Sequence, residues 1–212
     1  MIALASCSVA SESWHSKHPH PHDCNPNAIT QKEVPNFHYV DNDLFRGGHP
    51  TCAGLLKLED LGIRTIVDLG GGAAGTLEHC KDAQAVELHV IRYKISLPEI
   101  LLFGVSEKKL QRLFALMQNA PKPILLSCSL GRDRTGLIVA LYRLKRGEMS
   151  FPEAEQEALY YGYRPRFWGL ERAFERYKNP RELARLPAPA PAEAPAESVC
   201  RPKSLMTSRQ GF

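Results

Sequence analysis

The chain has 212 residues, of which 43% are hydrophobic and 24% charged, with a formal net charge of +4. That length and balance suit one globular domain with tails, able to bury an ordinary core. The positive charge is spread along the chain rather than gathered in a Lys/Arg block interleaved with aromatics, so nucleic-acid binding has no support and small anionic substrates stay in play.

In chain order, residues 1–27 are polar, with His15, His18, His20 and His22 around prolines. They read as a flexible His-rich leader, with a weak metal-binding tract as the sharper alternative. Leu4-Ala5-Ser6-Cys7 has the form of a bacterial lipoprotein cleavage box, with Cys7 the residue that would carry lipid and attach the chain to a membrane. Only six residues precede Cys7, whereas a signal peptide needs a basic start and an apolar core of about 7–15 residues. If the box is real, the protein faces the bacterial envelope; if the match is chance, it is cytoplasmic. No stretch approaches the ~20 apolar residues of a membrane-spanning helix.

The expected domain runs over 28–179. Phe37 to Val40 and Leu44 to Arg46 predict a hairpin across Asp41-Asn42-Asp43. Thr51 to Leu61 predicts a helix capped by Thr51 and ended by Gly62. Arg64 to Leu69 predicts a buried strand, broken by Gly70-Gly71-Gly72. Asp68 ends that strand and is expected to order the turn. A helix follows over Thr76 to Ala85, then a strand over Glu87 to Ile95. After Ser106, Leu110, Leu113, Phe114 and Met117 recur at helical spacing as far as Asn119. Pro121-Lys122-Pro123 turns the chain into a buried strand at Ile124 to Leu126. An apolar helix covers Arg134 to Lys145, a capping box at Ser150 to Glu153 starts the next, and a last helix covers Phe167 to Lys178. Tyr160, Tyr161, Tyr163 and Trp168 are expected to pack helices together or to border a pocket. From 180 to 212, the alternation PAPAPAEAPAE predicts a disordered Pro/Ala-rich tail. Strands alternating with helices imply an α/β fold: a central, mostly parallel sheet of about four to five strands with helices on both faces. The chain shows no internal repeat and reads as a monomer.

The six cysteines are widely spaced, without CxxC or a zinc pattern. Most read as free thiols; Cys52 and Cys80 are the two that would pair in an exported protein.

Cys128 differs from the rest, because it stands where a buried strand gives way to a helix. Ligands in such sheets bind at the carboxyl ends of strands. A loop there turns successive backbone N–H groups toward one point, and the helix N-terminus adds partial positive charge. Gly131 permits backbone angles that other residues resist. Arg134, six residues after Cys128, can grip two oxygens of an oxyanion with its planar fork. A thiol at the bottom of such a cradle is favoured as thiolate and aimed at a bound phosphate. Thr135 can hydrogen-bond the thiolate as it leaves a phospho-cysteine. A cysteine after an apolar strand is ordinarily inert packing, but the spacing, the glycine and the following threonine agree on a phosphate-binding nucleophile loop.

These residues match the Cys-x5-Arg-Ser/Thr signature of the protein tyrosine phosphatase superfamily. VPNFHYVDNDLFRGGHP and LEDLGIRTIVDL resemble the opening segments of its atypical dual-specificity branch. The similarity covers about residues 34–178. It implies a dual-specificity phosphatase fold and a metal-free, cofactor-free hydrolase. Cys128 would be the nucleophile, Arg134 the phosphate clamp and Thr135 the leaving-group helper. The N–H groups of Ser129, Leu130, Gly131, Arg132, Asp133 and Arg134 would form the cradle. Two features depart from the pattern. Ser127 stands where the family has His. The stretch YKISLPEILLFGVSE lacks the usual acid Asp, which leaves Glu99, or Asp133 as in lipid phosphatases with Asp before the Arg. A structural ion pair is the bland alternative for Asp133, and an exposed loop carboxylate is that for Glu99. Arg46 either approaches the loop or makes a structural salt bridge.

The expected activity is hydrolysis of phosphomonoesters on tyrosine or on serine and threonine of proteins. The rivals are a phosphoinositide or inositol phosphate phosphatase and a catalytically weak phosphate-binding relative. Arsenate reduction or sulfur transfer is disfavoured by the Arg-Thr-Gly ending and by the lack of a nearby resolving cysteine.

Overall fold

The computed structural model describes residues 29–80 and 87–188. The Cys7 box, the histidine tract, the expected helix end at Ala85 and the chain from 189 onward lie outside those residues.

A five-stranded sheet has the order β1-β2-β5-β3-β4. Strands β1 (His38–Asp41) and β2 (Leu44–Gly47) form the expected antiparallel hairpin, its turn closed by Asp43 N–H donating to the Asp41 carboxylate at 2.9 Å. The other three pairings, among β2, β5 (Ile124–Ser127), β3 (Thr65–Asp68) and β4 (His89–Arg92), are parallel. The sheet is thus mostly parallel, as expected.

Successive residues point to opposite faces of a strand, and the core divides accordingly. Phe45, Ile66 and Leu125 face α1 (Cys52–Asp60) and α2 (Ala73–His79). Leu44, Val67, Ile124 and Leu126 face the larger layer made by α3 (Glu107–Asn119), α4 (Asp133–Arg146), α5 (Phe151–Tyr160) and α6 (Trp168–Arg176). Helix α3 buries Leu110, Leu113, Phe114 and Met117 as their spacing predicts, and Ser106 Oγ accepts from Lys109 N–H at 3.3 Å. Helix α4 is buried without a break from Thr135 to Leu144 and stops at Gly147, whose φ is +70°. Helix α5 carries its capping box at Ser150 and Glu153. β3 leads into α2 on one face and β5 into α4 on the other, which makes the carboxyl ends of these neighbouring strands a topological switch point, where ligands bind in such sheets.

Several elements differ from the sequence reading. Helix α2 begins at Ala73 rather than Thr76, because the Asp68 carboxylate takes Gly70 and Gly71 N–H at 2.9 and 2.7 Å and Ala74 N–H at 3.4 Å, which turns the chain early. Residues Glu99–Phe103 form a π-helical turn where no element was expected. The tail does not start at 180. Pro180–Ala184 is a short helix, α7, in which Pro180 occupies the first turn, where its missing N–H costs nothing. Asn179 caps α7, Lys145 Nζ donates to its carbonyls at Leu183 and Ala184, and Leu186 is buried. Trp168 does not pack between helices; it is 72% exposed. Cys52 and Cys80, the candidate pair, are joined by a disulfide that links the start of α1 to the end of α2, with Cα atoms 5.6 Å apart. Among the described residues the remaining cysteine, Cys128, is a free buried thiol. No described helix is long and apolar enough to cross a membrane.

Candidate active site

β5 delivers Cys128 to the carboxyl end of the sheet, where the residue is 4% exposed. Its N–H reaches the Gly47 carbonyl at 3.4 Å, and His49 N–H donates to the Ser129 carbonyl at 3.3 Å. The loop after Cys128 is thereby bound to the end of β2. On the other side Gly70 lies against it: a Cβ there would meet Ser129 N at 3.2 Å. Gly131 is required twice. Its φ is +67°, and an added Cβ would sit 2.5 Å from the Gly47 carbonyl carbon.

The Gly131 carbonyl is held from below by two side chains. Asn36 Nδ2 donates to it at 2.8 Å and to the Tyr161 carbonyl at 3.0 Å. Asn36 itself has φ +53°, a conformation asparagine tolerates better than most residues. Arg46 Nη2 donates to the same Gly131 carbonyl at 3.2 Å. Arg46 is fully buried, stacks over the Tyr161 ring at 4.0 Å, and leaves Nε and Nη1 without a hydrogen-bond partner among the described residues. Burial lowers its pKa to about 10, while Glu157, Tyr161 and Cys128 pull the other way. Of the two sequence readings of Arg46, the one that brings it to the loop is realised.

The backbone N–H groups of Ser129 through Thr135 donate to no acceptor among the described residues; the next, Gly136 N–H, closes the first turn of α4 on the Arg132 carbonyl at 2.7 Å. A run of N–H donors without protein acceptors among the described residues, at a helix N-terminus, has the chemistry that suits an anion. Arg134 Nε donates to the Ile95 carbonyl, just beyond β4, at 2.9 Å. That bond fixes the guanidinium plane and leaves both terminal nitrogens without a protein partner among the described residues. Ser127 Oγ and Thr135 Oγ1, on either side of the loop, are buried and likewise lack a partner there. Ser129, Leu130 and Arg132 face solvent.

The two candidate acids have different surroundings. Asp133 is 8% exposed and bound by Arg164: Nε to Oδ1 at 3.0 Å, Nη2 to Oδ2 at 2.6 Å, and Arg164 N–H to Oδ1 at 3.1 Å. The side-chain hydrogen bonds that Arg164 donates to Asp133 raise its pKa, against a desolvation that lowers it. Glu99 lies in the π-helical turn with both oxygens 2.8 Å from Lys109 Nζ, and Oε2 also accepts from Ser96 N–H and Oγ at 2.8 and 2.7 Å. Burial would raise the Glu99 pKa, but the Lys109 and Ser96 hydrogen bonds outweigh it and hold the carboxyl below its ordinary value. Sequence reasoning missed Arg164, Asn36 and the Ile95 carbonyl. Asn36 lies in the Pro-Asn-Phe stretch that carries the family resemblance; Arg164, in Arg-Pro-Arg, had no local signal.

Comparison with known proteins agrees with this geometry. Residues 25–166 match the family model of the dual-specificity/tyrosine phosphatase domain fused to NAD+ kinase. Over 121 residues the chain is 34% identical to the "Putative tyrosine-protein phosphatase OCA1" of Mycosarcoma maydis, covering 55% of this chain and 74% of that protein. It resembles the crystal structure of TpbA from P. aeruginosa, at 18% identity and a TM-score of 0.60, over 73% of this chain and 91% of the other. The core catalytic domain of the PP-IP phosphatase SIW14 from S. cerevisiae aligns at 17% identity and a TM-score of 0.52, over 73% and 96%. The chain belongs to this dual-specificity phosphatase family, within the protein tyrosine phosphatase superfamily.

Proposed function

We propose that this phosphatase hydrolyses phosphomonoesters through a cysteinyl-phosphate formed on Cys128, with phosphotyrosine and phosphoserine or phosphothreonine of proteins as its substrates. The observation that carries this reading is the run of N–H donors from Ser129 to Thr135 without protein acceptors among the described residues, following directly on a buried free thiol and containing Arg134. The phosphate's non-bridging oxygens take those N–H groups and the two terminal nitrogens of Arg134. The Cys128 sulfur attacks phosphorus, an S–P bond forms, and the P–O bond to the alcohol breaks. A proton passes to the leaving oxygen. Water then gives a proton to the carboxylate that protonated the leaving oxygen and attacks phosphorus, the S–P bond breaks, and inorganic phosphate departs while Thr135 Oγ1, and Ser127 Oγ in place of the family's histidine, turn toward the returning thiolate.

We assign the proton donor to Asp133 in preference to Glu99. The ground is position: Asp133 opens α4 beside Arg134, whereas Glu99 lies on the separate π-helical turn; both carboxylates are ion-paired, Asp133 with Arg164 and Glu99 with Lys109. Arg164 would orient the Asp133 carboxyl. Asp133→Asn should remove the basic limb of the rate–pH profile and Glu99→Gln should keep it; the reverse pattern would reassign the acid.

A second reading, an inositol phosphate or phosphoinositide as substrate, is favoured by Arg132 and Arg164 beside the loop, in addition to the clamp. The SIW14 relative is a PP-IP phosphatase, and TpbA has been crystallised in complex with phosphotyrosine. The deciding experiment compares the wild type with Cys128→Ser on p-nitrophenyl phosphate without metal, then on phosphopeptides and inositol phosphates. Turnover lost in the variant supports the nucleophile. An inert wild type that still binds phosphate or vanadate makes the protein a binding module instead.

A further inference from the structure

The π-helical turn is a ledge, held by its own hydrogen bonds and packing, that presents apolar side chains to solvent. Ile100 anchors it in the core, and the Gly104 N–H to Glu99 carbonyl bond at 3.0 Å closes it. Glu99, Lys109 and Ser96 brace it from within. Gly169 packs against its backbone so closely that a Cβ there would lie 2.0 Å from the Glu99 carbonyl oxygen. Among the described residues nothing buries the outer side chains. Phe103 is 71% exposed, Leu97 64% and Leu102 57%, with Leu101 beside them; Trp168, next to Gly169, is 72% exposed. Large apolar groups gathered on one held segment, rather than scattered singly, mark a contact surface.

Charge says what kind of surface is contacted. The segments 94–103, 129–134 and 163–168 carry five basic residues, Lys94, Arg132, Arg134, Arg164 and Arg166, against two acidic ones, Glu99 and Asp133. Arg164 and Asp133 neutralise each other, and Lys109 neutralises Glu99, which leaves Lys94, Arg132, Arg134 and Arg166 in excess. The segment that leads into the ledge is tied to the catalytic loop through the Ile95 carbonyl on Arg134, which links the apolar turn to the basic loop along the chain. An exposed tryptophan and aliphatic side chains rimmed by arginine and lysine are the composition of an interfacial membrane contact.

We infer that the π-helical turn and Trp168 insert into the surface of an anionic lipid bilayer and set the Cys128 loop against it, so that the enzyme acts on phosphomonoesters held at that surface. The inference about substrate rests on the phosphatase reading above; the inference about docking does not. The test uses the full chain carrying Trp14→Phe, so that Trp168 is the sole tryptophan, mixed with vesicles of phosphatidylcholine alone or with phosphatidylglycerol added. The expected result is a blue shift of tryptophan emission and co-sedimentation with the anionic vesicles, weakened by salt. Adding Leu102→Ser and Phe103→Ser should weaken vesicle binding by roughly tenfold or more, while turnover of soluble p-nitrophenyl phosphate is unchanged. No shift and no sedimentation, binding that survives the two serines, or a dimer that the two serines dissolve in place of vesicle binding would each overturn the inference. A wild type inert on the soluble substrate would refute the phosphatase reading and leave the vesicle result to stand alone.

Discussion

The loop from Ser129 to Arg132 and the π-helical turn from Glu99 to Phe103 are linked through the Arg134–Ile95 hydrogen bond, yet they are held in opposite ways. The loop leaves its own N–H groups free and is fixed almost wholly by others: the Gly47 and Gly70 backbones, Asn36 and Arg46. The turn is fixed through its own Glu99 and buried Ile100, and leaves apolar side chains free. One region reserves polar donors for an anion and the other reserves apolar area for a surface. The difference teaches that a loop meant to bind must be braced from outside, since every donor it spends on itself is lost to the ligand.

The largest break of that contrast is at the clamp. Arg134→Lys keeps the charge but loses the fork and the Nε bond to Ile95. Turnover of an aryl phosphate should fall by about 10²–10³-fold, as for loss of one preorganised donor to the transition state, with little change in melting temperature. Next comes the disulfide between the two helices on the smaller face of the sheet. Opening the Cys52–Cys80 disulfide, which closes a 28-residue separation, should cost roughly 3–4 kcal/mol by loop-closure entropy. Urea unfolding of Cys52→Ser/Cys80→Ser against the wild type measures it, and turnover at low temperature should persist. Smaller again is Gly131→Ala. The added methyl must leave a left-handed φ or displace the Gly47 carbonyl, at about 1–3 kcal/mol. Because strain falls on the loop, activity should drop more than stability does.

How much of this was legible in the sequence differs between the two regions. The loop's chemistry is local in the chain: Cys128, Gly131, Arg134 and Thr135 lie within eight residues, and strand and helix periodicity on either side place them. What holds the loop is not local. Asn36 and Arg46 reach Gly131 across 95 and 85 residues, and no short pattern encodes that meeting. The π-helical turn was missed for another reason. Ser96-Leu97-Pro98-Glu99 has the same Ser-x-x-Glu spacing as Ser150 to Glu153, and the two pairs make the same bonds at the same distances, backbone N–H to Oε2 at 2.8 Å and Oγ to Oε2 at 2.7 Å. The second was readable because an amphipathic helix follows it. The first is followed by Ile-Leu-Leu-Phe, whose solid apolar run gives no face, and only Ile100 among them is buried. Likewise Pro180 passed for the start of a disordered tail, because proline count weighs the same whether the residue starts a helix or breaks one.

The smallest effect concerns the brace under the turn. Glu99→Gln removes a part-buried ion pair with Lys109 but keeps an acceptor for Ser96, so the cost should be about 1 kcal/mol, or roughly 2–4 °C in melting temperature. Its pH dependence has a definite sign. The Glu99 carboxyl is held below its ordinary value in the folded protein. Its contribution is therefore fully present above the unfolded-state value and is lost as pH falls through the folded one. Melting temperatures of wild type and variant, taken from neutral pH downward, should converge on the acid side. They should stay separated by a constant amount at neutral pH. If the gap instead persists at the acid end, Glu99 holds the turn by shape rather than by charge. The same variant should lose some vesicle affinity if a rigid ledge is what inserts, and none if Leu102 and Phe103 can find the bilayer from a loosened one.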